Sequence, residues 1–272
     1  MTDIARDLPG LSLRGEDRED VVRSLPEETP LALVYDGSTQ AVMMGTPQNL
    51  EDFATGFSLT EHIVDDPSQI ETMEVVDQDG GIEIRMWLAP DIGQRLSSRR
   101  RKMAGPVGCG LCGIDSLSEA LRPIRPVEAD PTVRASDIDD AISSLSGAQP
   151  LHDRTRSVHA AGFYVPGEGL LLAREDVGRH NALDKLLGAM ARTNAPAGRG
   201  IIAITSRISV DMVQKCAVSG SAVLAAVSAP TAHAVRLAEG ANLTLAALAR
   251  GRGCEVFTHS RRIRTELGVH VT

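Results

Sequence analysis

The chain has 272 residues, a net charge of −8, 42% hydrophobic and 24% charged residues, and four cysteines. That balance suits a globular protein with a sizeable core; it excludes a disordered chain, a disulfide-stapled secreted scaffold and a general nucleic-acid binder, which would need a basic surface. The first residues lack the basic and apolar segments of a signal peptide and no apolar run reaches the length of a spanning helix, so a cytoplasmic location without a membrane partner is expected.

In chain order, residues 1–25 are polar and charged and are expected to form a loosely held lead-in. A small α+β unit is predicted over 26–96. Its first hairpin joins Leu31–Tyr35 to Ala41–Met44 across Asp36-Gly37, and Thr46-Pro47 stops it. Asn49 is placed to cap a helix running to about His62, with Leu50, Phe53, Ala54 and Phe57 on one face. A second hairpin links Ile70–Val76 to Ile82–Leu88 through Asp79-Gly80-Gly81. Residues 97–128 read as a flexible segment that ends in the proline-broken connector Leu121–Pro126.

From 129 to 272 the pattern becomes that of an α/β domain. After a short helix at Asp137–Leu145, apolar runs at Gly162–Val165 and Leu170–Ala173 flank Pro166–Gly169. Strands follow at Ile201–Ile204, Val223–Val227 and Leu243–Leu248. Leu183, Leu186, Leu187 and Met190 fall at helical spacing, as do Val210, Val213 and Ala217, then Ala234, Leu237 and Ala238. Strands alternating with helices predict helices packed on a largely parallel sheet.

Between the two units lies Gly105-Pro106-Val107-Gly108-Cys109-Gly110-Leu111-Cys112-Gly113, directly behind Arg99-Arg100-Arg101-Lys102. Glycines leave Cys109 open to a close partner, and nearby positive charge favours the nucleophilic thiolate. Three other readings compete with a reactive sulfur carrier. A zinc knuckle lacks its second half in this chain. A redox dithiol of the thioredoxin type would open a helix after a strand, whereas glycines and a proline precede this motif. The remaining reading is a structural turn. Cys216 and Cys254 stand alone in apolar surroundings and read as small buried hydrophobes.

Two strand-to-helix junctions share a chemistry. Thr205-Ser206-Arg207 precedes Ser209, and Ser228-Ala229-Pro230 precedes Thr231. Hydroxyls at helix starts suit phosphate and Arg207 adds a planar donor fork, while plain helix capping explains Ser209 and Thr231 as well. The basic turn Arg250-Gly251-Arg252-Gly253 adds a third anion-friendly spot and favours a nucleotide-like ligand. The segment Arg174–Lys185 is the most polar of the chain. Within it His180 and Asp184 are four apart, so one helical face would let the carboxylate orient the imidazole, whereas Asn181 and Lys185 suit a solvated face. His159 heads an apolar strand and fits a satisfied core histidine.

Met43–Pro47, Cys109–Gly113, His159–Ala161, Glu175–Lys185, Ser206–Ser209, Ser228–Thr231 and Asn242–Leu245, in this order and spacing, make the chain resemble the FdhD family, the formate dehydrogenase accessory sulfurtransferases. The resemblance spans nearly the whole sequence. It implies a cytidine-deaminase-like three-layer C-terminal domain, a homodimer, and two partners, a cysteine desulfurase and formate dehydrogenase. It implies transfer of persulfide sulfur to a molybdenum (or tungsten) bis(molybdopterin guanine dinucleotide) substrate, of which a guanine nucleotide is a partial mimic. Cys109 matches the persulfide carrier and Cys112 the second loop cysteine. Leu248, Ala249, Arg250, Gly251, Arg252 and Gly253 match the turn that contacts the cofactor, beside the site residues Ser206, Arg207, Ser228, Thr231 and His180 read from the chain itself. A non-catalytic cofactor chaperone and a thiol–disulfide oxidoreductase are the alternatives.

Overall fold

The computed structural model describes residues 3–93, 124–251 and 253–265. The smaller unit is a sheet of β3 (Thr29–Tyr35), β4 (Ser38–Gly45), β5 (Ile70–Gln78) and β6 (Gly81–Leu88) in the order β4-β3-β6-β5. β3 and β4 turn at Asp36 and Gly37, whose φ of 49° and 75° are the left-handed pair that a tight hairpin requires. Helix α1 (Leu50–Thr60) sets Phe53, Ala54 and Phe57 against Leu31, Leu33, Tyr35, Ile82, Ile84 and Met86, closing one core. Asn49 does not make the predicted cap. Its φ of 54° departs from the extended geometry that aims a side chain at the first free amides, and it forms no side-chain cap bond.

Instead of an irregular lead-in, residues 5–26 form a long antiparallel hairpin, β1 (Ala5–Arg14) and β2 (Asp17–Pro26), turning at Gly15 with φ 62°. Its pairing rests on backbone hydrogen bonds, which a hydrophobicity pattern does not reveal, and most of its side chains are exposed. Its foot is fixed where Ala5 packs on Leu151 and Val158, and where Arg154 Nε–H donates to Ser24 Oγ at 2.6 Å.

The larger unit runs β7 (Val133–Arg134), α2 (Ala135–Ser146), α3 (Pro150–Thr155), β8 (His159–Val165), β9 (Gly169–Asp176), α4 (Arg179–Arg192), β10 (Ile201–Ile204), α5 (Val210–Ser219), β11 (Val223–Ala226), α6 (Ala232–Gly240), β12 (Thr244–Ala247), β13 (Glu255–Val256) and β14 (Ile263–Arg264). Six of these strands form one sheet in the order β13-β12-β11-β10-β8-β9. β10, β11 and β12 are parallel, while β8 and β13 run against them, so the sheet is mixed. β9 is antiparallel to β8 and therefore points the same way as the parallel three. The sheet is buried on both faces. Ile202, Ile204, Leu224 and Leu245 pack with Leu183, Leu186, Met212, Val213 and Ala234 of α4, α5 and α6; Ile201, Ala203, Val223 and Ala225 pack with Ile138, Ala141, Ile142 and Leu145 of α2. Two-sided burial explains why these strands read as short continuous apolar runs rather than alternating ones. The predicted α/β architecture is present, as three layers of helix, sheet and helix.

The two units meet where α1 lies on α4. A methyl group at Gly56 would stand 1.8 Å from the Asp184 carbonyl oxygen, and one at Gly188 would stand 1.8 Å from that of Asp52, so only glycine lets these backbones approach. With the sheet on one side and α1 on the other, α4 is buried continuously from Asn181 to Met190.

Candidate functional site

Topology gathers the predicted ligand residues at one edge. The carboxyl ends of β9, β10, β11 and β12 all reach the same side of the sheet, and β8 begins there. Along that edge stand the turn after β12 with Leu248, Ala249, Arg250, Gly251 and Gly253, then Ser228 and Thr231 after β11, and Ser206 and Arg207 after β10. His159 at the start of β8 and His180 in the first turn of α4 follow. At about 4.8 Å per strand the row spans roughly 20 Å, and open α/β sheets bind ligands beyond such carboxyl ends. Arg252, Cys109 and Cys112 lie outside the described residues.

The turns are joined to one another. Ile208 N–H donates to the Ala229 carbonyl at 3.3 Å and Thr231 N–H to the Ile208 carbonyl at 3.0 Å, tying the β10 and β11 junctions together. Leu248 is left-handed at φ 54° with its side chain exposed, and its amide donates to the Ser228 carbonyl at 3.3 Å. Arg250 Nε–H donates to the Val227 carbonyl at 3.2 Å, which holds the exposed guanidinium beside the β11 junction.

The two hydroxyls suspected as caps separate. Thr231 caps α6, its Oγ1 accepting from the Ala234 amide at 3.2 Å, whereas Ser209 occupies the N-cap of α5 without a side-chain cap bond and its buried Oγ has no partner among the described residues. His180 and Asp184 do not meet as the helical spacing predicts. His180 Nε2 stands 3.6 Å from Asp211 Oδ2 of α5, and that imidazole holds the Asp211 carboxyl below its usual range. His159 is half-buried, and its pKa is lowered first by burial and then by the positive charges of Arg179, His152 and His180. It therefore favours the neutral ring near pH 7. Burial pushes the thiols of Cys216 and Cys254 up, away from thiolate chemistry.

Most of the polar segment that opens α4 faces the smaller unit. Asp176 accepts from the Thr46 amide at 3.0 Å and pairs with Lys185 at 2.6 Å; Lys185 donates to the Thr46 carbonyl and Asn181 to the Met44 carbonyl, each at 2.8 Å. Asp184 accepts from Thr60 Oγ1 at 2.8 Å and from Lys215 Nζ at 3.0 Å, and Arg174 and Arg192 both hold Asp52. Asn181 and Lys185 are thus interface residues, not members of a solvated face. A signal for this was present: mid-helix glycines at 56 and 188 weaken two helices and mark close backbone approach.

The family model described as FdhD/NarQ family matches residues 26–264. A protein of Brucella abortus biovar 1 named "Sulfur carrier protein FdhD" is 56% identical over 261 residues, covering 96% of this chain and 97% of that one. One of the same name from Agrobacterium fabrum is 52% identical over 242 residues, 89% of each chain. The crystal structure of a protein assigned as a formate dehydrogenase accessory protein from Desulfotalea psychrophila superposes with a TM-score of 0.77 at 25% identity, over 96% of this chain and 100% of that one. With the strand-end edge and the interface between the two units lying inside the matched span, and with relatives more than half identical over most of its length, the chain belongs to the FdhD/NarQ family.

Proposed function

We propose that the protein is a sulfurtransferase that serves formate dehydrogenase. Its Cys109 thiolate attacks the outer sulfur of a persulfide on a cysteine desulfurase; a new S–S bond forms and the desulfurase cysteine leaves as thiolate. The Cys109 S–S bond then breaks: the outer sulfur passes to a reduced molybdenum or tungsten bis(molybdopterin guanine dinucleotide) substrate, whose metal supplies the two electrons that bring it to sulfide, and Cys109 leaves as thiolate. The observation that carries this reading is the alignment of Arg250, Ser228, Arg207 and His180 along one strand-end edge, long enough for a dinucleotide, in a chain whose relatives are named sulfur carriers. Hydroxyls and guanidinium forks there suit phosphate and base edges, and the thiols of buried Cys216 and half-buried Cys254, both pushed up by burial, are unsuited to carry sulfur. The loop of Cys109 and Cys112, between the two units in sequence, would present the persulfide to this edge. The reading includes a homodimer and a cytidine-deaminase-like arrangement of the three layers.

The test is peptide mass spectrometry after incubation with a cysteine desulfurase and cysteine, with and without reductant. A reducible gain of one sulfur atom on Cys109, absent in Cys109→Ala and retained in Cys112→Ala, supports the carrier. Unmodified loop cysteines under conditions that load a known acceptor overturn it in favour of a cofactor chaperone. Loss of formate dehydrogenase maturation in Cys112→Ala, with an intramolecular disulfide in the wild type, would point to a dithiol cycle instead.

A further inference from the structure

Five of the thirteen large hydrophobic side chains exposed among the described residues, Leu8, Leu11, Leu13, Val22 and Leu25, lie on the β1–β2 hairpin. The hairpin is held to the larger unit at its foot, by Ala5 against Leu151 and Val158 and by Arg154 against Asp7 and Ser24. Beyond the foot the same face carries Pro9, Leu11, Leu13 and Val22 in one stripe, and Leu13 and Val22 are 68% and 69% exposed. A two-stranded ribbon with an uncovered apolar face is marginal in water, whereas a sheet of three or more strands with such a face is stable by itself.

The ladder leaves one complete edge. Gly15 and Glu16 form a two-residue turn closed by Arg14 and Asp17, and at the other end Glu27 N–H donates to the Ile4 carbonyl at 2.9 Å. Both ends set the same phase: the backbone groups of Arg18, Asp20, Val22 and Ser24 on β2, and of Asp7, Pro9, Leu11 and Leu13 on β1, point away from the ladder. Pro9 has no N–H, so the β1 edge lacks a donor in its middle, while the β2 edge is unbroken from Arg18 to Ser24.

The charges on that edge complement their own copy. The ion pairs of the hairpin, Arg6 with Glu27 and Arg154 with Asp7, lie at the foot; none among the described residues involves Glu19 or Arg23. Two β2 strands laid antiparallel about a two-fold axis at Val21 set Glu19 opposite Arg23 of the second copy, twice over, with no like charges directly opposite. An axis at Asp20 sets aspartate against aspartate, one at Glu19 sets glutamate against glutamate, and one at Val22 joins no opposite charges. We propose that the hairpin is the docking surface for a second copy of this chain: the β2 strands pair about Val21 into a four-stranded sheet shared by two protomers, with its apolar face toward both bodies and the tip of each arm, Leu13 with it, at the foot of the other. The proposed function includes a homodimer; the inference rests on that part of it and assigns its surface.

Sedimentation equilibrium of the full chain tests this on the wild type, Glu19→Arg, Arg23→Glu and the double variant, beside oxidation of Val21→Cys followed by peptide mass spectrometry. The expected result is a wild-type dimer that each single swap weakens about tenfold or more, since two like-charged pairs replace two attractive ones, and that the double swap restores. Val21→Cys should form a disulfide joining position 21 of one copy to position 21 of the other. Glu19 and Arg23 are exposed, so exchanging them leaves the fold intact, and sulfur loading of Cys109 in the weakened variants reads the carrier role separately. A wild-type dimer that is equally tight in all three charge variants, with no disulfide at position 21, overturns the arm and leaves the homodimer on another surface. Losses in both single variants that the double swap does not restore overturn the two-fold strand pairing. A monomeric wild type overturns the arm and the homodimer together and gives the hairpin to a different protein.

Discussion

Lys185 Nζ lies 2.6 Å from Asp176 Oδ2, with neither side chain reaching solvent, and the same ammonium donates to the Thr46 carbonyl at 2.8 Å. One ion pair thereby ties the end of β9 and the first turns of α4 to the segment that follows β4. Burial pulls the Lys185 pKa down and Asp176 works against that, so the carboxylate offsets part of the cost of burying the ammonium.

Lys185→Met should therefore destabilise the protein strongly. It leaves Asp176 as a buried charge that keeps only its amide donors, a loss on the order of 3–5 kcal/mol. Adding Asp176→Leu should recover part of the loss, since replacing both charges removes the uncompensated one. Urea unfolding reads both, and a single-variant loss below about 1 kcal/mol would show that the pair does not hold the units together.

At Gly188 two principles oppose each other. Alanine is favoured over glycine in a helix by about 1 kcal/mol, yet here its methyl would meet the Asp52 carbonyl oxygen at 1.8 Å. Helices α1 and α4 would have to separate, straining the Arg174 and Arg192 contacts to Asp52. Gly188→Ala should lose about 1–3 kcal/mol or more, as overpacked sites do. A variant that unfolds at higher urea than the wild type would mean that the helices separate freely.

The two hydroxyls at the strand ends predict different outcomes for the same substitution. Thr231→Ala removes the bond to the Ala234 amide and should cost about 1 kcal/mol. Ser209→Ala removes a buried hydroxyl that has no partner among the described residues, so the variant should melt at or above the wild-type temperature. Equal losses at both sites would show that Ser209 caps α5 in solution.

These outcomes separate what the sequence displays from what it conceals. Strand positions such as Ile201–Ile204 are legible because burial on both faces leaves an apolar run, and the junction residues are legible because hydroxyl and arginine side chains crowd where strands end. The partner of Asp184 is not legible. Helical spacing points it at His180, but Thr60 and Lys215 lie 124 and 31 residues away in the chain, and long-range packing decides. Asn181 and Lys185 look solvated for the same reason, since local pattern does not reveal that α1 covers them. The β1–β2 hairpin escapes because its ladder is made by main-chain groups that every sequence carries.

His159 gives the pH dependence a definite sign. Its folded pKa lies below the ordinary value, first through burial and then through Arg179, His152 and His180. The unfolded chain binds this proton near pH 6.5, before the native state does, so between the two pKa values the unfolded state holds more protons. Stability then falls as pH drops from about 6.5 through the folded value, and the group contributes nothing to the slope above that range. His159→Gln, which carries no titrating ring, should melt with a flatter dependence between about pH 7.5 and pH 5. A proton NMR titration of the wild type should place the His159 midpoint below 6.5. A midpoint above it, or a His159→Gln melt as steep as the wild type's, would mean that His159 sits in a wet, negatively charged setting, and the positive ring of Arg179 and His180 around it would not exist in solution.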